Sequence, residues 1–313
     1  MFCRAEVMQI EIFFVNLYNA INLKVTNNFV DMKKIKLLLL VLCAAVISGV
    51  STDSAQAKTK KMGLQLYSVR SDIGKDLQGT LKAVADMGYK QAELASYGNG
   101  KFYNTDPKAF RKMVKGYGMK IISSHIGRGL NKEKYDEDMA WWDEAIKAHK
   151  AAGIKYMVMP SPPNRMRTME DLQDMCMYLN DIGARCKAAG IKFGYHNHSQ
   201  EFTKVGDVVP YEYFLVNTDP KLVIFQLDVY WAQRGGYDPA ALILKHPSRI
   251  RMLHIKDEKE IGASGYMNFK AIYDAAYSTG IRVFTVEQEA YSGPVFESVK
   301  ASFDYLNNAS YVK

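Results

Sequence analysis

Histidines and carboxylates recur at the ends of apolar segments in the second half of the chain. His196, Asp228, His254 and Glu287 close four consecutive segments, and four of the six histidines lie at such ends. Gathering two imidazoles and two carboxylates without a counter-ion is unfavourable, whereas one divalent metal ion would satisfy them all. Nitrogen and carboxylate ligands favour manganese, cobalt, zinc or iron. We therefore predict one divalent metal ion at these four residues.

Other polar residues at segment ends are candidates for acid–base chemistry and substrate binding. We predict acid–base roles for Lys256, Glu93, His125 and Glu201. We predict substrate contacts from Gln65, Tyr67, His198, Trp231 and Glu289. A lysine acting as a base needs a lowered pKa, which a nearby metal ion would provide. The alternative for Lys256 is an ion pair with Glu287 or Glu289.

The elements that must position these residues alternate regularly along the chain. The predicted strands span 62–69, 89–96, 120–127, 154–160, 191–198, 222–230, 250–256 and 281–289. Amphipathic helices separate them, and several end in glycine, an apolar residue and a basic residue, as in Gly190-Ile191-Lys192. Eight such units predict a single (β/α)8 TIM barrel, with its site at the carboxyl ends of the strands. A doubly wound open sheet is the alternative, but no glycine-rich phosphate turn follows the first strand.

The first part of the chain is typical of an export signal. Residues 32–57 combine three early lysines, a short apolar run and the small-residue site Ala55-Gln56-Ala57, which predicts a signal peptide. Residues 1–31 are interpreted as an over-long start, and residues 58–313 as the barrel. A retained anchor and a lipoprotein at Cys43 are the alternatives. We therefore expect an exported protein, periplasmic or secreted, with no stable membrane insertion after cleavage.

Composition excludes several classes of protein. The chain has 313 residues, 48% of them hydrophobic and 24% charged, which excludes intrinsic disorder. Four cysteines in this length exclude a disulfide scaffold. The net charge of +8 comes from basic residues that are scattered among acidic ones, so we expect no nucleic-acid partner.

The ordered set of strand-end stretches resembles the xylose-isomerase-like barrel superfamily of sugar isomerases and epimerases, inosose dehydratase-like enzymes and endonuclease IV. The matching stretches are GLQLYSVR (63–70), GYKQAELA (88–95), SSHIG (123–127), YHNHSQEF (195–202), QLDVYW (226–231), LHIKD (253–257) and VEQE (286–289). The resemblance implies one metal on strands five to eight. Many members carry a glutamate where this chain has His196, which leaves their two-glutamate mechanism in doubt here. His198 and Glu201 are alternative strand-five ligands.

A departure from the pattern bears on the nuclease branch of this superfamily. Endonuclease IV-type members need a histidine three residues after the strand-six aspartate, and this chain has Trp231 there. They also need an Asp-x-His after strand seven, which residues 258–267 lack. The sequence therefore disfavours a DNA-repair nuclease.

The combined prediction is a metal-dependent isomerase or epimerase that transfers a proton next to a carbonyl of a free sugar or keto-sugar. A lyase or hydratase acting on 3-keto-glycosides through the same enolate is an alternative. A non-catalytic carbohydrate-binding protein is an alternative of another class. A metal-free glycoside hydrolase is disfavoured, because strand four ends without a carboxylate. The expected partner is a small sugar, and a homodimer is expected by analogy with similar barrels.

Overall fold

The computed structural model of the protein describes residues 60–160, 162 and 166–313. The predicted signal peptide and over-long start lie outside these residues. Among the residues described, no helix has both the length and the apolar character that a membrane span requires. Cys176 and Cys186 are buried free thiols, as their spacing along one predicted helix indicates.

Parallel strands form the centre of the described chain and close into a barrel. Each strand pairs with the next along the chain, and the last pairs with the first. The strands are β1 (Gly63–Gln65), β2 (Gln91–Leu94), β3 (Lys120–His125), β4 (Tyr156–Pro160), β5 (Lys192–His196), β6 (Val223–Asp228), β7 (Ile250–Ile255) and β8 (Phe284–Val286). This order confirms the predicted (β/α)8 barrel and excludes the open sheet.

A long helix lies between each pair of successive strands, and another follows β8. These helices are α1 (Leu77–Asp86), α2 (Pro107–Gly116), α3 (Tyr135–Ala152), α4 (Met169–Ala188), α5 (Pro210–Asn217), α6 (Pro239–Lys245), α7 (Phe269–Ser278) and α8 (Val295–Asn308). Local chemistry sets their ends: Thr168 and Asp171 form a capping box at the start of α4. Gly153 ends α3 at φ 72°, a left-handed conformation that favours glycine.

All eight strands are shorter than their predicted ranges, and the first and the last differ most. The first ends at Gln65, whose side chain accepts a hydrogen bond from the Tyr67 backbone N–H and so turns the chain into a short helical segment, Leu66–Val69. Tyr67 therefore leaves the strand and is 42% exposed. The last strand ends at Val286, and Glu287 extends its pairing only through a backbone hydrogen bond to Ile255.

Polar side chains fill the carboxyl-terminal part of the barrel interior. Alternation along β6 buries Gln226 and Asp228 inside the barrel, and alternation along β7 does the same for His254. Apolar residues on the opposite strand faces pack against the helices. The fold therefore gathers ionisable groups that are distant in sequence into one buried layer.

Candidate metal centre at the carboxyl ends of the strands

The four predicted metal ligands come together. His196, Asp228, His254 and Glu287 are all buried, and each offers one ligand atom within 4.8 Å of the other three. The Nδ1 atom of His254 lies 3.4 Å from Glu287 Oε2 and 3.9 Å from Asp228 Oδ2. Four strands thus aim two nitrogens and two oxygens at one point.

Three of these ligand atoms have no hydrogen-bond partner. They are Nδ1 of His196, Oδ2 of Asp228 and Nδ1 of His254. A buried polar atom without a partner costs about 1–3 kcal/mol, so three such atoms at one point need a further group. A divalent cation fits, because two imidazole nitrogens and two carboxylate oxygens are ligands that zinc, manganese, cobalt and iron accept.

Local hydrogen bonds orient Asp228 toward this point. Its Oδ1 atom accepts from the Trp231 backbone N–H at 2.8 Å and so caps the short helix Val229–Arg234. Its backbone N–H donates to Asn197 Oδ1, which joins β6 to the end of β5. Burial raises the pKa of Asp228 to about 7, although Lys256 and His254 oppose this shift.

The opposite nitrogen of His254 contacts Glu93. Its Nε2 atom meets Glu93 Oε1, and a proton on Nε2 shared with this carboxylate leaves Nδ1 as the nitrogen that could bind a metal ion. Three further groups hold the Glu93 carboxylate: Gln65 Nε2 at 2.9 Å, Ser123 Oγ at 2.6 Å and Gln226 Nε2 at 2.8 Å.

Glu93 is therefore a buried support for a ligand rather than the proton-transfer group that we expected. The residue is fully buried and does not line the pocket above the cluster. Burial raises its pKa, but the charges of His125 and His254 outweigh burial and lower the pKa to about 2. A carboxylate with its oxygens occupied cannot also take a proton from a substrate. Gln65, expected to touch substrate, instead belongs to this support.

Glu201 also departs from its expected role. It is fully buried, accepts from Tyr195 Oη at 2.6 Å and from the His198 backbone N–H at 2.8 Å, and is not part of the ligand cluster. It fixes the turn that follows β5. Of the three strand-five alternatives, His196 is the residue that lies among the other ligands.

Lys256 forms the ion pair considered as an alternative. Its Nζ atom lies 3.1 Å from Glu287 Oε2 and also contacts Glu289. Burial lowers the pKa of Lys256, but the carboxylates of Glu287, Asp228 and Glu289 outweigh burial and raise it. These charges hold Lys256 as a cation, which opposes a role as a base. Its other predicted role, as an acid, stays a prediction, and Lys256 is not among the described residues that line the pocket.

His125 lies beside the cluster. Its ring stacks on that of His254, with centroids 4.9 Å apart, and its Nε2 atom lies 2.8 Å from Gln226 Oε1. With His196 and His254 it forms a second, overlapping group of three possible ligands. It also lines the pocket, and its acid–base role stays a prediction.

A pocket of about 440 Å³ opens above the ligands. Tyr67, His198 and Glu289, three of the predicted substrate contacts, line it. Tyr97 and Trp141 form an aromatic wall that the spacing of residues along the chain does not indicate. Trp231, a fourth predicted contact, is not among the described residues that line the pocket. Its ring instead contacts His198 and Lys256.

Comparison with known proteins identifies this architecture. The family model described as Xylose isomerase-like TIM barrel matches residues 81–309. The chain belongs to the xylose isomerase-like TIM barrel family. This membership confirms the resemblance that the strand-end stretches indicate.

Relatives within the xylose isomerase-like family are sugar isomerases, epimerases and inosose dehydratases. The crystal structure of a sugar phosphate isomerase/epimerase from Parabacteroides distasonis is 36% identical, with a TM-score of 0.78, over 81% of this chain and 100% of that chain. Inosose dehydratase from Geobacillus kaustophilus is 24% identical over 56% of this chain and 60% of the relative. Inosose dehydratase from Geobacillus thermodenitrificans is 26% identical over 65% of this chain and 72% of the relative. The chain thus spans less than two thirds of the first dehydratase.

Proposed function

We propose that this protein is an exported, divalent-metal-dependent enzyme that transfers a proton next to a carbonyl of a free sugar or keto-sugar. The observation that carries the proposal is the set of three buried, unpartnered ligand atoms on His196, Asp228 and His254, with Glu287 beside them. The family relationship to sugar isomerases and epimerases supports it.

Each group at the site has a distinct task in this proposal. His196, Asp228, His254 and Glu287 hold the cation, which when bound polarises a carbonyl and stabilises negative charge developing on its oxygen. His198 and Glu289 line the pocket, and in this proposal one of them takes a proton from the adjacent carbon and returns it. Lys256 is buried and is not among the described residues that line the pocket. In this proposal its positive charge beside Glu287 and Glu289 keeps those two carboxylates ionised.

The character of the pocket favours an uncharged sugar. No lysine or arginine is among the described residues that line it, and its wall includes Tyr67, Tyr97 and Trp141. Aromatic rings stack on sugar faces, whereas phosphate groups are usually held by Lys, Arg or backbone N–H groups. The signal-like pattern of residues 32–57 supports the same substrate class, because phosphorylated sugars are cytosolic intermediates.

Dehydration is the second candidate reaction, favoured by the relatives named inosose dehydratases. Proton removal next to a carbonyl is common to both reactions. Protonation at another carbon or face gives isomerisation or epimerisation, whereas loss of a leaving group from the next carbon gives a lyase or hydratase reaction. A 3-keto-glycoside would be a substrate for the latter.

Metal stoichiometry and solvent deuterium uptake together test the proposal. We expect about one divalent ion per chain by mass spectrometry, lost in His254→Ala, and deuterium at a carbon next to the carbonyl of a keto-sugar in D2O. Uptake with loss of a leaving group would identify the lyase. Metal and sugar binding without deuterium uptake would indicate a binding protein. Absence of metal after incubation with manganese, cobalt or zinc would overturn the mechanism.

Export is tested separately. Expression of the full chain should give a protein that begins near Lys58 in the periplasm or medium, by amino-terminal sequencing. An uncleaved chain recovered from the cytosol would contradict this part of the proposal.

A further inference from the structure

A second cavity lies at the opposite end of the barrel, where the strands begin. It has a volume of about 400 Å³ and borders the first residues of β5 and β7 and the segments that enter β6 and β8. Five of the residues that line it are basic: Lys187, Lys192, Lys221, Arg251 and Arg282. No aspartate or glutamate is among the described residues that line it.

These cations have no acidic partner among the described residues, whereas several lysines elsewhere on the described surface do. Lys82, Lys270 and Lys300 each pair with an aspartate four residues later in the same helix. None of the five cavity residues makes an ion pair within the part of the chain that is described. The two arginines donate to nearby backbone carbonyl oxygens, and the Lys192 ammonium lies 5.6 Å from the Tyr156 ring centroid.

Helix ends account for only part of this concentration of charge. Lys192 and Arg282 each follow the glycine that ends a helix, where a cation faces a carboxyl-terminal dipole equivalent to roughly half a negative charge. Lys221 and Arg251 lie outside that glycine motif, and Arg251 is the second residue of β7. Five positive charges around one cavity repel each other, so an anion that enters it would be bound favourably.

We propose that this cavity is a binding site for a compact polyvalent oxyanion of the phosphate or sulfate ester class. Its volume is in the range of small-molecule sites. Lysine and arginine donors match the oxygens of a tetrahedral anion. Apolar side chains of Phe193 and Ile224 also line it and leave room for an attached organic group. The five exposed cations share one cavity rather than a flat surface, which favours a compact free anion over a membrane.

Calorimetric titration with pyrophosphate tests the site. The titration is done with EDTA present, so that no metal ion at the other end of the barrel binds the probe, and at about 0.15 M salt, where distant charges are screened. We expect one binding event per chain. Lys192→Gln with Lys221→Gln should weaken it roughly tenfold or more, because two of the cations are removed.

The matched control removes two charges elsewhere. Lys82→Gln with Lys270→Gln changes the net charge equally on exposed helical positions and should leave the affinity within about twofold. Circular dichroism confirms that both double variants fold. Equal weakening in the two variants, or no pyrophosphate binding at all, would overturn the proposal. Binding to phosphatidylglycerol vesicles without affinity for pyrophosphate would also overturn it and indicate a membrane contact.

Discussion

His149 and His254 are both fully buried, and each has one ring nitrogen without a hydrogen-bond partner. His149 lies on α3, where its Nδ1 atom donates to the Ala145 carbonyl at 2.7 Å. Its ring is 4.8 Å from that of Phe102 and 5.2 Å from that of Tyr97. Nδ1 of His254 instead lies 3.4 Å from Glu287 Oε2 and 3.9 Å from Asp228 Oδ2, in a ligand group that also includes His196.

Neighbouring groups shift the pKa values of the two histidines in opposite directions. Burial lowers the pKa of His149 to about 4, since only a backbone carbonyl opposes desolvation. Burial also lowers the pKa of His254, but Glu93 and Glu287 outweigh it and raise the pKa to about 10. An unpartnered nitrogen is therefore a packing feature in one region and part of a candidate metal centre in the other. What distinguishes them is convergence of further ligands.

The largest expected difference between the two regions is in metal binding. Asp228→Asn removes a charged ligand from the cluster, and we expect metal affinity to fall by roughly 100-fold or more. His149→Phe removes a histidine of equal burial, and we expect metal affinity to be unchanged. Competition with a metallochromic chelator measures both. Similar losses in the two variants would show that the cluster around Asp228 is not the metal centre.

The pH dependence of stability should reveal His149, which metal binding does not. Because the pKa of His149 is about 4 when folded and about 6.5 when unfolded, the unfolded chain binds the proton more tightly. The free energy of unfolding should therefore fall by about 3 kcal/mol between pH 6.5 and pH 4 through this residue alone.

His149→Phe isolates that contribution. Other groups titrate in both proteins, so the difference between their urea-unfolding free energies should change by about 3 kcal/mol over the same pH range. Both proteins are measured metal-free in the presence of a chelator, so that metal binding at the cluster does not contribute to the difference. Parallel pH profiles for the two proteins would show that His149 is not held neutral by burial.

Alternation along strands made much of the candidate site predictable. His196, Asp228, His254 and Glu287 lie at or just beyond strand ends, and a closed barrel brings such ends together whatever their separation in sequence. His149 is not one of the histidines at segment ends, and it lies on α3. Position at a strand end therefore distinguishes the two kinds of histidine.

Contacts across the barrel were not predictable. Glu93 and His254 are 161 residues apart, and their contact depends on side-chain direction through the barrel interior. Nothing in the spacing distinguishes a carboxylate that faces substrate from one that supports a ligand. Tyr97 and Trp141 reach the pocket from a loop after β2 and from α3, whose positions depend on helix packing.

The contact between Glu93 and His254 gives a smaller, graded prediction. Glu93→Gln keeps the side-chain shape but removes the charge that fixes the His254 tautomer. We expect metal affinity to fall by about 10–100-fold, the usual effect of losing such a support. Calorimetric metal titration at constant pH measures the loss. Unchanged affinity would mean that the side chain at position 93, held by Gln65, Ser123 and Gln226, orients His254 without its charge.

The smallest expected effect is at Glu201, a buried carboxylate whose two oxygens both have partners, in contrast to Asp228. Tyr195→Phe removes the donor at 2.6 Å and leaves one oxygen of Glu201 without it. We expect a loss of about 1–2 kcal/mol in the free energy of unfolding, from urea denaturation, with metal affinity unchanged. Because Glu201 holds the turn after β5 through the His198 backbone, a drop in metal affinity would instead couple that turn to His196 and make Glu201 part of the ligand support.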